Sequence, residues 1–121
     1  MMKVWKLAVV LSAVSMTAAC APQTKYAWGN YESSLYQHYK TPGDMTAFAQ
    51  HLADTINAAE STGKKVPPGV YAEYGQVLLE SGDSKQAAVF FEKEKATWPE
   101  STVFMTTMIR VSSGTMKEAK Q

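Results

Sequence analysis

Residues 68–101 read PGVYAEYGQVLLESGDSKQAAVFFEKEKATWPES. Tyr71, Tyr74, Val77 and Leu78 recur at intervals of three and four, the period of a helix with one apolar face. Gly82-Asp83 interrupts that pattern with a turn pair. Beyond it Ala87, Phe90, Phe91 and Trp98 resume the same period, and Pro99 stops it. The spacing predicts one helix from about Pro68 to Ser81 and a second over 84–97, folded back on each other.

This stretch resembles a tetratricopeptide repeat, a helix–turn–helix unit of 34 residues. Tyr71 and Tyr74 take the two large positions of the first helix, and Gly75 is the small residue that lets its partner approach. Leu78 follows, Gly82-Asp83 forms the turn, Ala87 and Phe91 take the small and large contact positions, and Pro99 closes the unit. The departure is Glu94, which stands where the motif wants a small residue and bears on how closely the next helix packs. A shift of 39 residues superposes Gly43-Asp44 on Gly82-Asp83, Leu35 and Tyr39 on Tyr74 and Leu78, and Leu52 on Phe91. That earlier unit is degenerate: Tyr36 stands for the glycine and Phe48 for Ala87.

Working outward, Asn30 is the expected cap of a helix over 31–40, with Tyr31, Leu35 and Tyr39 on its inner face. Thr41-Pro42-Gly43 ends it, and Asp44 opens a helix to about Ser61 with Phe48, Leu52, Ile56 and Ala59 as its stripe. Residues 62–68 (TGKKVPP) are the longest loop. A fifth helix follows Glu100, with Ser101 as the expected cap and Phe104, Met105, Met108 and Ile109 turned inward. No stretch alternates as a strand does, so the class is all-α: five helices in a tetratricopeptide-like, right-handed stack spanning 30–114. Residues 115–121 read as a polar tail.

The other end of the chain has a different character. Lys3 and Lys6 precede the ten-residue apolar run Leu7 to Met16, then Thr17-Ala18-Ala19 and Cys20. This order is that of a signal peptide over 1–19, and the run is shorter than the roughly 20 residues that span a bilayer. Cys20 is the only cysteine in the 121 residues, so no internal disulfide can form. Its setting resembles a bacterial lipobox, although Thr17 stands where Leu is usual. The resemblance implies an acylated Cys20 as the new N-terminus, and Ala21 after it implies the outer membrane, facing the periplasm. A plain signal with an incidental cysteine is the alternative. Removing residues 1–19 leaves 10 basic against 11 acidic side chains, a net charge near −1 with no basic stripe to attract nucleic acid. Residues 20–29 are then the lipidated cysteine and its tether. The seven residues 21–27 reach no more than about 25 Å.

The segment Tyr26–Tyr39 (YAWGNYESSLYQHY), with the lipobox and the hairpins, also resembles a family of small outer-membrane lipoproteins named only as a domain of unknown function. That resemblance implies an accessory part of an outer-membrane assembly, with an envelope protein such as a curli-channel-like lipoprotein as partner. It implies no chemistry.

The residues themselves point away from catalysis. His38 and His51 sit on different helices without a third ligand at metal-binding spacing. His51 and Asp54 are placed to pair on a solvated helix face, and Glu92-Lys93-Glu94-Lys95 reads as an exposed one. Gly63-Lys64-Lys65 lacks the upstream glycine of a phosphate loop. No cofactor, metal or small-molecule substrate is expected. Tyr31, Tyr39, Tyr71 and Tyr74 are expected between helices, leaving Trp28 and Tyr36 freer. Trp28, Tyr36, Gln37, Glu73 and Gln76 are therefore the candidate partner-binding residues, rigid aromatics being good anchors; the alternative is that Trp28 staples the start of the first helix. The expected role is a membrane-tethered periplasmic adaptor for another envelope protein. The alternative, a regulator of a peptidoglycan-synthesising enzyme, needs a longer reach than the tether allows.

Overall fold

A computed structural model describes residues 25–114. Cys20, residues 1–19 and the tail 115–121 lie outside them. The described residues form five α-helices and no strands: α1 (Tyr31–Lys40), α2 (Met45–Ser61), α3 (Val70–Glu80), α4 (Ser84–Thr97) and α5 (Thr102–Ser112), with a 3₁₀ turn at Pro99–Ser101 before α5. Each helix packs on the next in chain order, most extensively α3 on α4 and α4 on α5.

The two Gly-Asp turns do the same work twice. The Asp44 carboxylate accepts the Ala47 N–H at 3.1 Å, and the Asp83 carboxylate accepts the Gln86 N–H at the same distance. Both satisfy an amide that the first helical turn leaves without a partner. Asn30 and Ser101 make no such bond. The Ser101 hydroxyl donates instead to the Trp98 carbonyl at 2.7 Å, because the 3₁₀ turn places it in helical backbone already.

Two apolar clusters share α3. One joins Phe48, Leu52, Ile56 and Ala59 of α2 to Val66, Val70, Tyr71 and Val77; the other joins Ala87 and Phe91 of α4 to Met105 of α5. Burying each larger side chain contributes about 1.5–3 kcal/mol. Val66 and Pro67 are fully buried, so the loop before α3 enters the core.

The inner face of α1 is Tyr31, Ser34, Leu35 and His38, and not Tyr31, Leu35 and Tyr39. Tyr39 is 78% exposed. At 100° per residue, eight residues carry Tyr39 about 80° off Tyr31, whereas His38 returns to within about 20°. His38 accordingly stacks on Phe48, ring centres 4.3 Å apart. Phe104 is likewise 63% exposed, at the edge of the face on which Met105 is buried.

Gly75 marks the closest approach of α3 and α4. A Cβ there would lie 2.7 Å from the Phe91 ring, too close unless the ring shifts, and 3.2 Å from the Ala87 carbonyl, a tight contact. Ala87 is completely buried and Phe91 nearly so.

Glu94 is where the sequence reading and the structure part most. It is not on an exposed face but 3% accessible, and it holds the start of α3. Gly69 takes a φ of +89°, open to glycine without strain, and has no side chain to cap the helix. The Glu94 carboxylate supplies that cap from α4, accepting the Gly69 N–H at 2.8 Å. Its second oxygen is buried without a hydrogen bond, although the Tyr71 and Ala72 amides of the same helix start attract its charge. Burial nevertheless dominates and pushes the Glu94 carboxyl above its ordinary value. Its neighbours in the run are surface pairs, Glu92 with Lys95 at 2.7 Å and Lys93 with Glu60 at 3.0 Å.

Gly75→Ala is expected to lower stability by about 2 kcal/mol through overpacking, read as a fall in Tm. Gly43→Ala, with open space around its Cβ, should leave Tm unchanged. Equal Tm for the two variants would contradict the close approach. Glu94 sets a sign with pH. The folded chain keeps a proton there at pH values where the unfolded chain, near 4.5, has released it. The stability of this site is thus full below about pH 4.5 and declines as pH rises. Glu60 has the opposite sign, its carboxyl held below the usual range by the Tyr71 hydroxyl and then Lys93. The Tm of the native chain should therefore fall relative to that of Glu94→Gln between pH 4 and pH 7. Parallel profiles would contradict the assignment. Glu94→Ala, which strands the Gly69 amide, should cost about 1–3 kcal/mol.

Candidate interaction groove

Helices α1, α3 and α5 line two adjoining cavities, with α2 and Pro42 closing the first and α4 the second. The first, about 360 Å³, has walls of Leu35, His38, Tyr39, Pro42 and Phe48. The second, about 260 Å³, lies between Gln76 of α3 and Phe104, Met105 and Met108 of α5, with Phe91 behind them. Glu73 lines both. Among the described residues it is the one carboxylate lining either space, and the His38 imidazole lies in the first beside it.

Glu73 is held in place. The Tyr31 hydroxyl donates to both of its carboxylate oxygens, at 2.7 and 2.9 Å. Burial, and then this bond to a carboxylate, push the Tyr31 phenol above its ordinary range, so it remains a donor at any physiological pH. The arrangement is a fixed negative charge between two apolar hollows. Chemically it suits a cation flanked by apolar side chains. Met105 and Met108 give the second hollow an adaptable wall.

The five candidate residues do not form one site. Glu73 and Gln76 line the groove as described. Gln37 lines a further cavity of about 270 Å³ between α1 and α2, together with Ser34, Asp44 and His51; that cavity shares His38 and Phe48 with the first hollow. Tyr36 is 57% exposed, with the Lys40 ammonium 4.6 Å from its ring centre. Trp28 is half-buried against the first core cluster, its ring 5.2 Å from that of Tyr31 and its carbonyl accepting the Tyr31 N–H. It staples the start of α1. Tyr39 and Phe104 are the groove residues that sequence reasoning missed, because it assigned both to the core. Their places at the edges of their helices' inner faces were the available signal.

His38 and His51 share the cavity between α1 and α2, and His38 Nδ1 is buried without a hydrogen bond. Asp54 accepts a bond from Gln50 at 2.9 Å and does not pair with His51. Among the described residues no group of three or more His, Cys, Asp or Glu side chains could hold a metal ion. No described helix is long and apolar enough to cross a membrane.

The family model described as Domain of unknown function (DUF4810) matches residues 25–108, and the chain belongs to that family. No curated protein matches the chain. No solved structure matches it either.

Proposed function

We propose that this member of the DUF4810 family is a lipid-anchored adaptor of the periplasmic side of the outer membrane, and that its groove binds a segment of another envelope protein. The observation that carries the reading is Glu73, a carboxylate fixed by Tyr31 between two apolar hollows. Such a site rewards shape and charge in a partner; the His38 imidazole shares the first hollow with Glu73 but stacks on Phe48, and no serine, threonine or cysteine side chain lines either hollow. The tetratricopeptide-like pattern of residues 68–101 supports the same reading. Its first helices, here α3 and by extension α1 and α5, are those that face a ligand in such repeats. The lipobox-like run before Cys20 supports the anchor.

The occupant that fits is an amphipathic segment presenting a lysine or arginine between two apolar side chains. A photoreactive residue at Gln76 or Phe104 should capture one discrete envelope protein in intact cells, and one at exposed Lys85 on α4 should not. Glu73→Gln should weaken that capture about tenfold, the worth of a charge-assisted bond, with the helical content unchanged. Equal capture at all three positions, or capture indifferent to Glu73, would contradict the groove.

A further inference from the structure

The chain does not leave the fold as a free tether at residue 30. Tyr26 packs edge-on against Trp28, ring centres 6.2 Å apart, and against Trp98 at the end of α4, 5.8 Å away. Trp98 is pinned in turn to the loop before α3. Its indole N–H donates to the Val66 carbonyl at 3.2 Å, and the Lys65 ammonium lies 3.8 Å from its ring centre. The Lys25 ammonium lies 5.5 Å from the centre of the Tyr26 ring. The path from Lys25 through the two rings to Lys65 therefore keeps these ammonium groups within about 15 Å of each other. Lys64 is adjacent in the loop and exposed, as are Lys25 and Lys65.

The acidic groups of this region oppose the lysines little. Glu60 is engaged by Tyr71 and Lys93, and Glu94 is buried under α3. Glu100, exposed two residues beyond Trp98, is a carboxylate that no hydrogen bond or ion pair described above engages. Chain reach supplies the second constraint. Five Cα–Cα steps lead from Cys20 to Lys25 and can extend no more than about 18 Å. An acylated Cys20 would thus keep Lys25 within about 18 Å of the anchoring residue, on the scale over which a charged bilayer surface is felt.

We propose that Lys25, Lys64 and Lys65, backed by Tyr26 and Trp98, form a membrane-facing edge that binds anionic lipid headgroups. Amphipathic rings with their lysines are suited to the headgroup layer, and each lysine near an anionic surface adds attraction. The edge acts as a second anchor beside the lipid and fixes how the domain is presented. Its orientation rests on the Cys20 tether; its charge and rings do not.

The test uses the full chain purified from envelopes and placed on phosphatidylcholine vesicles, with or without one part in three of phosphatidylglycerol. Flotation reads the anchor, and acetylation of each lysine, followed by mass spectrometry, reads the edge. On anionic vesicles labelling of Lys25, Lys64 and Lys65 should slow about fivefold relative to Lys85, the weight of one such lysine, and high salt should reverse it. Neutral vesicles, or inorganic phosphate at matched concentration, should give no such slowing. Flotation with uniform labelling, or equal slowing on neutral vesicles, would overturn the edge and leave the anchor standing. Protection by inorganic phosphate alone would reveal a free-anion site in place of a lipid surface. A chain that does not float would overturn the anchor and the edge together.

Discussion

The contact of the Phe91 ring with the backbone at Gly75 sets the separation of α3 and α4, and the rest of the described fold is arranged around that pair. Because Gly75 has no side chain, Ala87 and Phe91 reach the α3 backbone, and α4 lies close enough for Glu94 to reach the start of the same helix. Two contacts at different points along α4 thus fix α3 both in distance and at its N-terminal end. The second cluster then seats Met105 of α5 on Phe91, which places Phe104 and Met108 opposite Gln76. On the other side, Tyr71 and Val77 of α3 meet α2, and Tyr31 of α1 reaches Glu73. The groove follows from a correctly placed α3.

Much of this was legible in the sequence, for identifiable reasons. Helix limits were punctuated by residues whose local chemistry is strong: the Gly-Asp pairs at 43–44 and 82–83, Pro42 and Pro99. Gly75 was legible through the resemblance of residues 68–101 to a tetratricopeptide repeat, which puts a small residue at that place in the first helix. α3 begins two residues later than expected, at Val70, because Gly69 turns in the left-handed region and Glu94 caps from outside.

What the sequence concealed depends on contacts between residues distant in the chain. Glu94 looks like one member of a charged run, and only the position of Gly69, 25 residues earlier, explains its burial. Val66 and Pro67 look like loop, and become core because Trp98 holds the loop by its carbonyl. Tyr39 and Phe104 were misplaced by a different cause. At Tyr39 a stripe counted in steps of four has drifted around the helix, so its last member swings out of the core and into the groove, whereas Phe104 lies about 100° from the buried Met105, at the edge of its helix's inner face. Glu73 and Gln76 were found by their place on a first helix, whereas Gln37 and Tyr36 failed to join them. The inner face of α1 carries Tyr31, Ser34, Leu35 and His38, and Tyr31 reaches Glu73 of α3, whereas Tyr36 and Gln37 fall outside that face.

The central claim is that α4 clasps α3 through Gly75 and Glu94, and the Gly69 amide reports on it most directly. Its hydrogen exchange, measured by NMR on the native protein, should be as slow as that of the core amides of α3, and its proton shift should follow one titration above pH 4.5 that disappears in Glu94→Gln. Exchange as fast as that of the exposed loop glycine Gly63, with a shift indifferent to pH, would mean that Glu94 does not cap α3 and that the clasp is wrongly drawn.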